Sequence, residues 1–243
     1  MPHPPPNPNP RPPGGPAWSW GGLACCRGCL GPVGQGAEAG LCERCWWGLM
    51  PLDEARCPRC ALAHGGGTCP EPVAWTWGDA LWDYRAGRPP LGALLVPAIK
   101  RGELGWKAAL LERAGRAPLP AFVPEIDWVC SAPTSWPRRW SRGFDLAEEA
   151  GALFARRMGR PFRPLLRKAW FGQSQSGLSE SRRRQLPARA LTLRRGCRLE
   201  GQTVLVVDDV WTTGTTLLRC AQALRRAGAG RLGVLALFRA LPG

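Results

Sequence analysis

The residues best suited to chemistry are two adjacent aspartates and a run of threonines near the carboxyl end of the sequence. They occur in the segment VLVVDDVWTTGTT, Val204 to Thr216, where an apolar run predicts a buried strand that ends at Asp208 and Asp209. A five-residue loop, TTGTT, then precedes a segment with helical spacing. A strand, a short polar loop and a helix in this order are typical of ligand sites in α/β proteins.

The loop has the composition of a phosphate-binding site. Gly214 allows the backbone to bend so that its amides face one point, and the following helix adds partial positive charge at its amino terminus. Four threonine hydroxyls can donate hydrogen bonds around this glycine: Thr212, Thr213, Thr215 and Thr216. It is not a Walker A loop, because no GKS or GKT follows the glycine.

The two aspartates predict a different part of the same ligand. Asp208 and Asp209 would repel a phosphate, so we expect them to accept hydrogen bonds from ribose 2'- and 3'-hydroxyls or to hold Mg²⁺ through its water shell. An apolar strand ending in two aspartates also occurs in other folds, but its combination with the threonine loop is specific. The segment therefore predicts a phosphoribosyl site.

Cysteines indicate a second kind of site. Eight of the eleven cysteines lie between Cys25 and Cys69, a density that in a cytosolic chain indicates metal binding. Two C-x-x-C knuckles supply the four thiolates that a structural zinc ion prefers. The first two knuckles, Cys26 with Cys29 and Cys42 with Cys45, are expected to form such a zinc ribbon.

The third knuckle, Cys57 with Cys60, leaves alternatives open. Cys69 follows it but is succeeded by PEP, where a complete double ribbon would carry a further cysteine. Either His64 is the fourth ligand of a three-cysteine, one-histidine zinc site, or the second ribbon is degenerate and metal-free. Cys25 can replace its neighbour Cys26 in the first site, although C-x-x-C geometry favours Cys26.

Length and composition predict a disordered tail and two folded parts. The opening MPHPPPNPNPRPPGGP contains nine prolines and no apolar region of a secretory signal, so a disordered tail is expected over 1–20. A zinc ribbon is expected over 21–72 and an α/β domain over 73–243. The sequence contains no transmembrane stretch, and a cytoplasmic location is expected.

The α/β domain is expected to be a parallel sheet flanked by helices. Strands are predicted at 127–133, 203–210 and 231–238, and helices at 144–158 and 215–227. The segment 91–116 has helical spacing interrupted by Pro97 and two glycines. Alternation around Gly78 and Asp79 predicts a β-hairpin over 73–84.

The net charge of +15 favours anionic partners. Sixteen basic residues face four acidic ones between Arg138 and Arg198. One interpretation is a track for single-stranded DNA, with base stacking on nearby tryptophans; the other is a solvated basic surface enlarged by the codon bias of a GC-rich genome. The residues proposed for the track are Arg138, Arg139, Arg142, Arg182, Arg183 and Arg184, with Trp136, Trp140 and Trp170.

In order and spacing, the motifs resemble the competence protein F (ComF) family of phosphoribosyltransferase-like proteins. The resemblance covers the zinc knuckles, the SAP strand end, RRWSRGF (Arg138 to Phe144), QSGLSESRR (Gln175 to Arg183) and VVDDVWTTGTT. It implies a type I phosphoribosyltransferase fold preceded by a zinc ribbon. It also implies a role in natural transformation, handling incoming single-stranded DNA in the cytoplasm with a helicase partner.

By position, the resemblance implies that Asp208 and Asp209 hold the ribose and that Thr212 to Thr216 hold the 5'-phosphate. Arg142 and Gly143 match the family's RGFNQ element, but Asp145 and Leu146 replace its Asn and Gln. Leu186 stands where family members usually have Asn. These departures affect the acceptor side and leave the phosphate loop intact.

Three functions are compatible with these features. The first is a DNA-uptake factor that binds phosphoribosyl pyrophosphate (PRPP) or a ribose 5'-phosphate. The second is an active phosphoribosyltransferase that displaces pyrophosphate from PRPP with the help of Mg²⁺. The third is a salvage enzyme outside competence. Neither histidine lies near the loop in sequence, so a catalytic base would have to be Asp208, Asp209 or a substrate group. The zinc knuckles and the basic segment favour the first function.

Overall fold

The computed structural model of the chain describes residues 18–20, 23–33, 40–52, 55–64, 67–134, 140, 142–168, 191–194 and 196–241. Their strands are β1 Trp18–Trp20, β2 Leu23–Cys25, β3 Trp77–Asp83, β4 Trp128–Ser131, β5 Leu166–Lys168, β6 Leu191–Leu193, β7 Thr203–Trp211 and β8 Arg231–Arg239. Their α-helices are α1 Glu43–Trp47, α2 Leu91–Lys100, α3 Leu104–Arg116, α4 Leu146–Met158 and α5 Thr215–Arg226, and a 3₁₀ turn spans Val123–Glu125.

A four-stranded parallel sheet forms the centre of the molecule, in the order β3-β8-β7-β4. Helices connect successive parallel strands, as the alternating pattern predicts, and the α/β class is confirmed. β7 and β8 lie in the middle and pair in register from Thr203 opposite Arg231 to Trp211 opposite Arg239. Because both faces of the sheet are covered here, the sequences of β7 and β8 are nearly continuous apolar runs.

Two apolar cores lie on opposite faces of this sheet. Alternate residues of a strand point to opposite faces, so Leu205 and Val207 pack with α2, α3 and α4, while Val204 and Val206 pack with α5. Residues from the first two cysteine knuckles join the first core, and Cys60 of the third knuckle joins the second. The cysteine-rich segment therefore contributes to both sides of the α/β domain.

The predicted hairpin over 73–84 is wrong, because β3 runs straight through Gly78 and pairs in parallel with β8. The glycine serves a close approach instead of a turn. Its amide donates to the Pro58 carbonyl at 2.8 Å, and a Cβ at this position would lie 2.2 Å from the Arg59 carbonyl oxygen. Gly78 is therefore the point at which the backbone of β3 contacts the backbone of the third cysteine knuckle.

The cysteine-rich segment also covers the outer edge of β3. The Asp83 amide donates to the Met50 carbonyl at 3.0 Å, and Pro51 forms a β-bridge with Trp82. Arg56 adds an ion pair of 2.8 Å with Asp79. An uncovered edge strand would present unpaired backbone N–H and C=O groups, and the cysteine-rich segment pairs some of these groups of β3.

The remaining elements agree with the sequence predictions to within a few residues. The segment 91–116 divides into two helices at Gly102, whose φ of +109° ends α2, while Pro97 is accommodated inside that helix. Asp145 begins α4 by accepting a hydrogen bond from the Ala147 amide at 3.1 Å. β1 lies within the segment predicted as tail and pairs with β2. None of the described helices is long and apolar enough to cross a membrane.

Candidate functional site

The aspartates and the threonine loop lie at the carboxyl end of the central strand β7. Pairing with β8 continues to Trp211 opposite Arg239, so the strand extends two residues beyond Asp209. The loop is consequently 212–214, shorter than the predicted five residues, and Thr215 and Thr216 form the first turn of α5. The hydroxyls remain beside one another at the edge of the sheet where parallel strands bind ligands.

The loop joins a glycine in the left-handed region to an uncapped helix terminus. Gly214 is buried with φ of +71°, and its carbonyl accepts the Leu218 amide at 2.7 Å. No side chain caps α5, so its first amides are available to an anion. The Thr213 and Thr215 hydroxyls lie 2.9 Å apart. All four threonines are exposed around the glycine: Thr212, Thr213, Thr215 and Thr216.

The two aspartates have different electrostatic environments. Burial of the Asp208 carboxyl, with the neighbouring charge of Asp209 as the second cause, raises its pKa to about 8. Asp209 is paired with Lys100 of α2, whose Nζ lies 2.5 Å from Oδ2. Burial also raises the pKa of Asp145, and repulsion from Asp209 contributes to that shift. The carboxyl groups of Asp208, Asp209 and Asp145 therefore lie close enough to influence one another, and Lys100 forms an ion pair with Asp209.

A cleft of about 540 Å³ opens beside these groups and carries positive charge. Lys100, Arg101 and Arg142 line it together with Asp209 and Thr212. Sequence reasoning missed Lys100 and Arg101, which lie more than a hundred residues from the aspartates. A signal was present, since Lys100 is one of only three lysines among 33 basic residues.

A buried arginine supports the loop from beneath. Arg239 at the end of β8 has no exposed surface, and its Nη1 donates to the Trp211 carbonyl at 3.0 Å and to the Thr212 carbonyl. Its Nη2 pairs with Glu71 at 2.6 Å. The guanidinium also stacks on the Trp211 ring at 4.6 Å. Nothing local in the sequence indicated Arg239 or Glu71.

The first cysteine cluster has the arrangement of a metal site. Ligand atoms of its four cysteines lie within 4.8 Å of one another: Cys26, Cys29, Cys42 and Cys45. Cys26, rather than Cys25, occupies the cluster. Burial opposes ionisation of Cys26, but backbone hydrogen bonds from Cys42, Cys29 and Gly28 outweigh it and lower the pKa to about 6. A ready thiolate suits zinc.

The second cluster is completed by histidine. Ligand atoms of Cys57, Cys60, His64 and Cys69 also lie within 4.8 Å of one another, and His64 Nε2 is 3.3 Å from the Cys60 sulfur. This geometry matches the three-cysteine, one-histidine alternative. Burial opposes ionisation of Cys57, but backbone hydrogen bonds from Cys60 and Arg59 outweigh it and lower the pKa of Cys57 to about 6. Both clusters can hold a metal ion.

Most of the predicted DNA track lies outside the described residues: Arg138, Arg139, Arg182, Arg183, Arg184, Trp136 and Trp170, together with Leu186. Of the remaining track residues, Trp140 is exposed over 75 % of its surface. Arg142 is half-buried and lines the cleft beside Asp209.

Comparisons with known proteins agree with the geometry of the site. Residues 148–241 match the phosphoribosyl transferase domain family. The DNA utilization protein YhgH of Salmonella typhi is 31% identical over 203 residues, covering 76% of this chain and 84% of the relative. YhgH of Escherichia coli K12 is 27% identical over 233 residues, covering 89% and 97%. The family match contains α4, β7, α5 and β8, and so includes both aspartates and the loop.

Solved structures also align with part of the chain. The glutamine PRPP amidotransferase of B. subtilis, complexed with ADP and GMP, aligns with a TM-score of 0.37 at 22% identity. The alignment covers 63% of this chain and 28% of that one.

We predict that the purified protein binds two zinc ions. Cys42→Ser with Cys45→Ser, or His64→Ala with Cys60→Ser, should each reduce the content to one, because each pair removes half of one tetrahedral shell. Loss of the first ion should also expose residues 26–70 to protease, since structural zinc contributes roughly 10 kcal/mol or more to folding. Elemental mass spectrometry and limited proteolysis measure both effects.

Cys25→Ser is the matched control, because it removes a neighbouring thiol that lies outside the cluster; this variant should retain two ions. A wild-type content of one ion that His64→Ala leaves unchanged would show that the second cluster is empty.

We further predict that the unliganded protein loses stability as pH rises from the ordinary aspartate pKa of 3.8 towards about 8. In that window folded Asp208 keeps a proton that the unfolded chain has released, and each pKa unit corresponds to about 1.4 kcal/mol. Asp208→Asn should remove most of this loss and be the more stable protein at pH 8.5, with a much smaller difference at pH 5, which lies only about one unit above the ordinary pKa. Urea denaturation in saturating zinc measures the difference; parallel pH profiles would refute a buried, protonated Asp208.

Proposed function

The chain belongs to the competence protein F (ComF) family of phosphoribosyltransferase-like proteins, and from that premise we propose that it is a DNA-uptake factor that binds PRPP or another ribose 5'-phosphate. The observation that supports the ligand is the segment 208–216. It combines two carboxyl groups with exposed hydroxyls around a buried glycine at an uncapped helix terminus. Anionic phosphate and neutral ribose hydroxyls require these two kinds of partner, and here the carboxyl groups end a strand and the hydroxyls follow in the loop and the first turn of the helix.

In this proposal the 5'-phosphate binds the amides at Gly214 and the threonine hydroxyls around it. Asp208 and Asp209 accept hydrogen bonds from the ribose hydroxyls. Lys100 and Arg142 line the adjoining cleft, where their charge suits the pyrophosphate of PRPP. Mg²⁺ arriving with the ligand would favour the ionised form of Asp208, whose pKa burial raises to about 8, and Asp208 and Asp209 would then hold the ion through its water shell.

An active phosphoribosyltransferase is the alternative, and one observation favours it. The Asp208 pKa of about 8 lies near neutral pH, where a carboxyl group is effective in proton transfer. Fold alone does not decide between transfer and binding. Release of pyrophosphate from PRPP in the presence of candidate bases would support the transferase, whereas binding without turnover would support the uptake factor.

The DNA part of the proposal is supported by the relatives and by a basic surface. The relatives are named DNA utilization proteins. Arg163, Arg167 and Arg194 are exposed on or beside the two-stranded sheet of β5 and β6. We propose that single-stranded DNA binds here in the cytoplasm, and that a competence helicase is the protein partner. A solvated surface enlarged by codon bias remains the competing interpretation.

We predict that PRPP with Mg²⁺ binds the protein and that Asp209→Asn weakens binding about 10- to 150-fold, the equivalent of about 1.5–3 kcal/mol for a lost charge-assisted hydrogen bond. Gly214→Val should weaken it at least as much. Its φ of +71° disfavours a side chain, and the Cβ would lie 3.0 Å from the Trp211 indole nitrogen. Titration calorimetry with millimolar PRPP measures both affinities.

Asp127→Asn is the matched control for the aspartates. Asp127 lies at the opposite end of β7 and accepts the Thr203 amide at 2.8 Å, a role that asparagine retains, so PRPP affinity should be unchanged. Absence of heat and of a thermal shift in the wild type would contradict the ligand assignment.

We also predict that single-stranded DNA binds with little sequence preference and with affinity that falls steeply with salt. Arg167→Glu with Arg194→Glu should weaken binding and lower the salt slope by about 2, one for each lost phosphate contact. PRPP affinity should fall much less than DNA affinity, because Arg167 and Arg194 line a pocket with Asp145 but neither lines the cleft beside Asp209. Fluorescence anisotropy across a salt series measures the DNA effect.

A control pair separates a local track from overall charge. Arg116→Glu with Arg231→Glu changes the net charge equally, but these exposed arginines lie elsewhere, paired with Glu112 and Glu125. Equal loss of DNA affinity in both double variants would reject a track on β5 and β6 and favour a general basic surface.

A further inference from the structure

We propose that the second cysteine cluster controls the shape of the loop 212–214 through Arg239, so that metal occupancy and ligand binding are coupled. The link to the ligand rests on the proposed function, whereas the link to the loop does not. Ligand atoms of Cys57, Cys60, His64 and Cys69 converge on one point, and the backbone of this cluster is bonded to the residues beneath the loop.

Three consecutive carbonyl groups of the knuckle are hydrogen-bonded to the α/β domain. The Pro58 carbonyl accepts the Gly78 amide of β3 at 2.8 Å, and the Arg59 carbonyl accepts the Trp75 indole at 2.6 Å. The Cys60 carbonyl accepts from Arg239 Nε at 3.2 Å. The knuckle therefore supplies side-chain sulfur atoms to the metal cluster and backbone carbonyls to the domain.

Arg239 joins both halves of the cluster to the loop. Besides the Cys60 carbonyl, it contacts Glu71, which follows Cys69 by two residues. The same guanidinium donates to the carbonyls of Trp211 and Thr212, the last residue of β7 and the first of the loop. Because Arg239 is wholly buried, water cannot replace a partner that moves away.

A second contact runs from the knuckle to Gly214 through two tryptophans. Trp75, held by the Arg59 carbonyl, packs edge-on against Trp211 with ring centroids 5.3 Å apart. The Trp211 indole nitrogen is the atom nearest to the position of a Gly214 Cβ, at 3.0 Å, and it has no hydrogen-bond partner among the described residues. Glu71 Oε2 lies 3.8 Å from the same point.

The coupling follows from what the metal does to the knuckle. Close thiolates repel one another unless a cation holds them, so loss of the ion releases Cys60 and Cys69 from their common centre. The Cys60 carbonyl and the carboxylate of Glu71, two residues after Cys69, then lose their fixed positions beside Arg239. The backbone at Trp211 and Thr212, which Arg239 also holds, loses its fixed position as a result. Arg239 and Glu71 act here as positioning residues, since neither lies at the ligand position itself.

Hydrogen exchange in the absence of any ligand tests the coupling to the loop. We expect Cys69→Ser to increase exchange of the amides in 211–217 about five-fold or more. Arg239→Lys should do the same while two zinc ions remain bound, because lysine keeps the charge but cannot bridge the five acceptors of Arg239. Combining both changes should add little, since they interrupt one path.

Arg231→Lys, at the other end of β8, is the matched control and should leave exchange at the loop unchanged. Loop exchange within two-fold of the wild type in both Cys69→Ser and Arg239→Lys would overturn the proposal. So would effects that multiply in the combined variant. If Cys69→Ser fails to fold, Arg239→Lys with its zinc content measured decides alone.

Titration with PRPP tests the coupling to the ligand. By reciprocity, the factor by which metal at the second cluster strengthens PRPP binding equals the factor by which PRPP strengthens metal binding there. We expect that factor to be about five or more, and to fall to one in Arg239→Lys. Unchanged PRPP affinity without the second ion would refute the coupling and leave the proposed function intact. If PRPP does not bind the wild type, the proposed function fails and the exchange result still decides the coupling to the loop.

Discussion

The buried guanidinium of Arg239 is the interaction on which the arrangement of the site depends. Moving such a charge out of water is unfavourable unless its donors are satisfied, and removing one partner of a buried pair costs about 3–5 kcal/mol. Here Glu71 supplies the negative charge and backbone carbonyls supply the remaining acceptors. Those acceptors come from the third knuckle and from the carboxyl ends of β7 and β8. Satisfying one arginine therefore requires these segments to adopt one relative position.

The cysteine-rich segment is consequently a structural part of the α/β domain. Its backbone pairs with the outer edge of β3, and its two clusters join the apolar cores on opposite faces of the sheet. The first cluster is held in a similar way, because Arg27 forms a bidentate pair with Glu103 at the start of α3 and stacks on Trp106. Both contacts lie close in sequence to Lys100 and Arg101 of the cleft.

Features of the site with a local signature were predictable from the sequence. The strand before Asp208, the loop around Gly214 and the cysteine knuckles each lie within a short window, where residue type and spacing indicate the chemistry. Pairings such as Arg239 with Glu71, 168 residues apart, carry no such signature. The hairpin error has the same origin, because a glycine in a strand can mark a turn or a backbone contact. At Gly78 the two cases are distinguished only by the folded structure, which brings the Arg59 carbonyl against the strand.

Electrostatics limit what can occupy the site. Burial raises the pKa of Asp208 and of Asp145, the charge of Asp209 contributes to both shifts, and Lys100 pairs with Asp209. A multiply charged anion placed directly against these carboxyl groups would be repelled unless a cation accompanied it. The uncapped terminus of α5 favours an anion, and it is separated from Asp209 by the last two residues of β7 and the loop 212–214. A ligand with a phosphate at one end and hydroxyl donors at the other satisfies both regions at once. The separation between the carboxyl groups and the uncapped helix terminus thus supports the ribose 5'-phosphate proposed above.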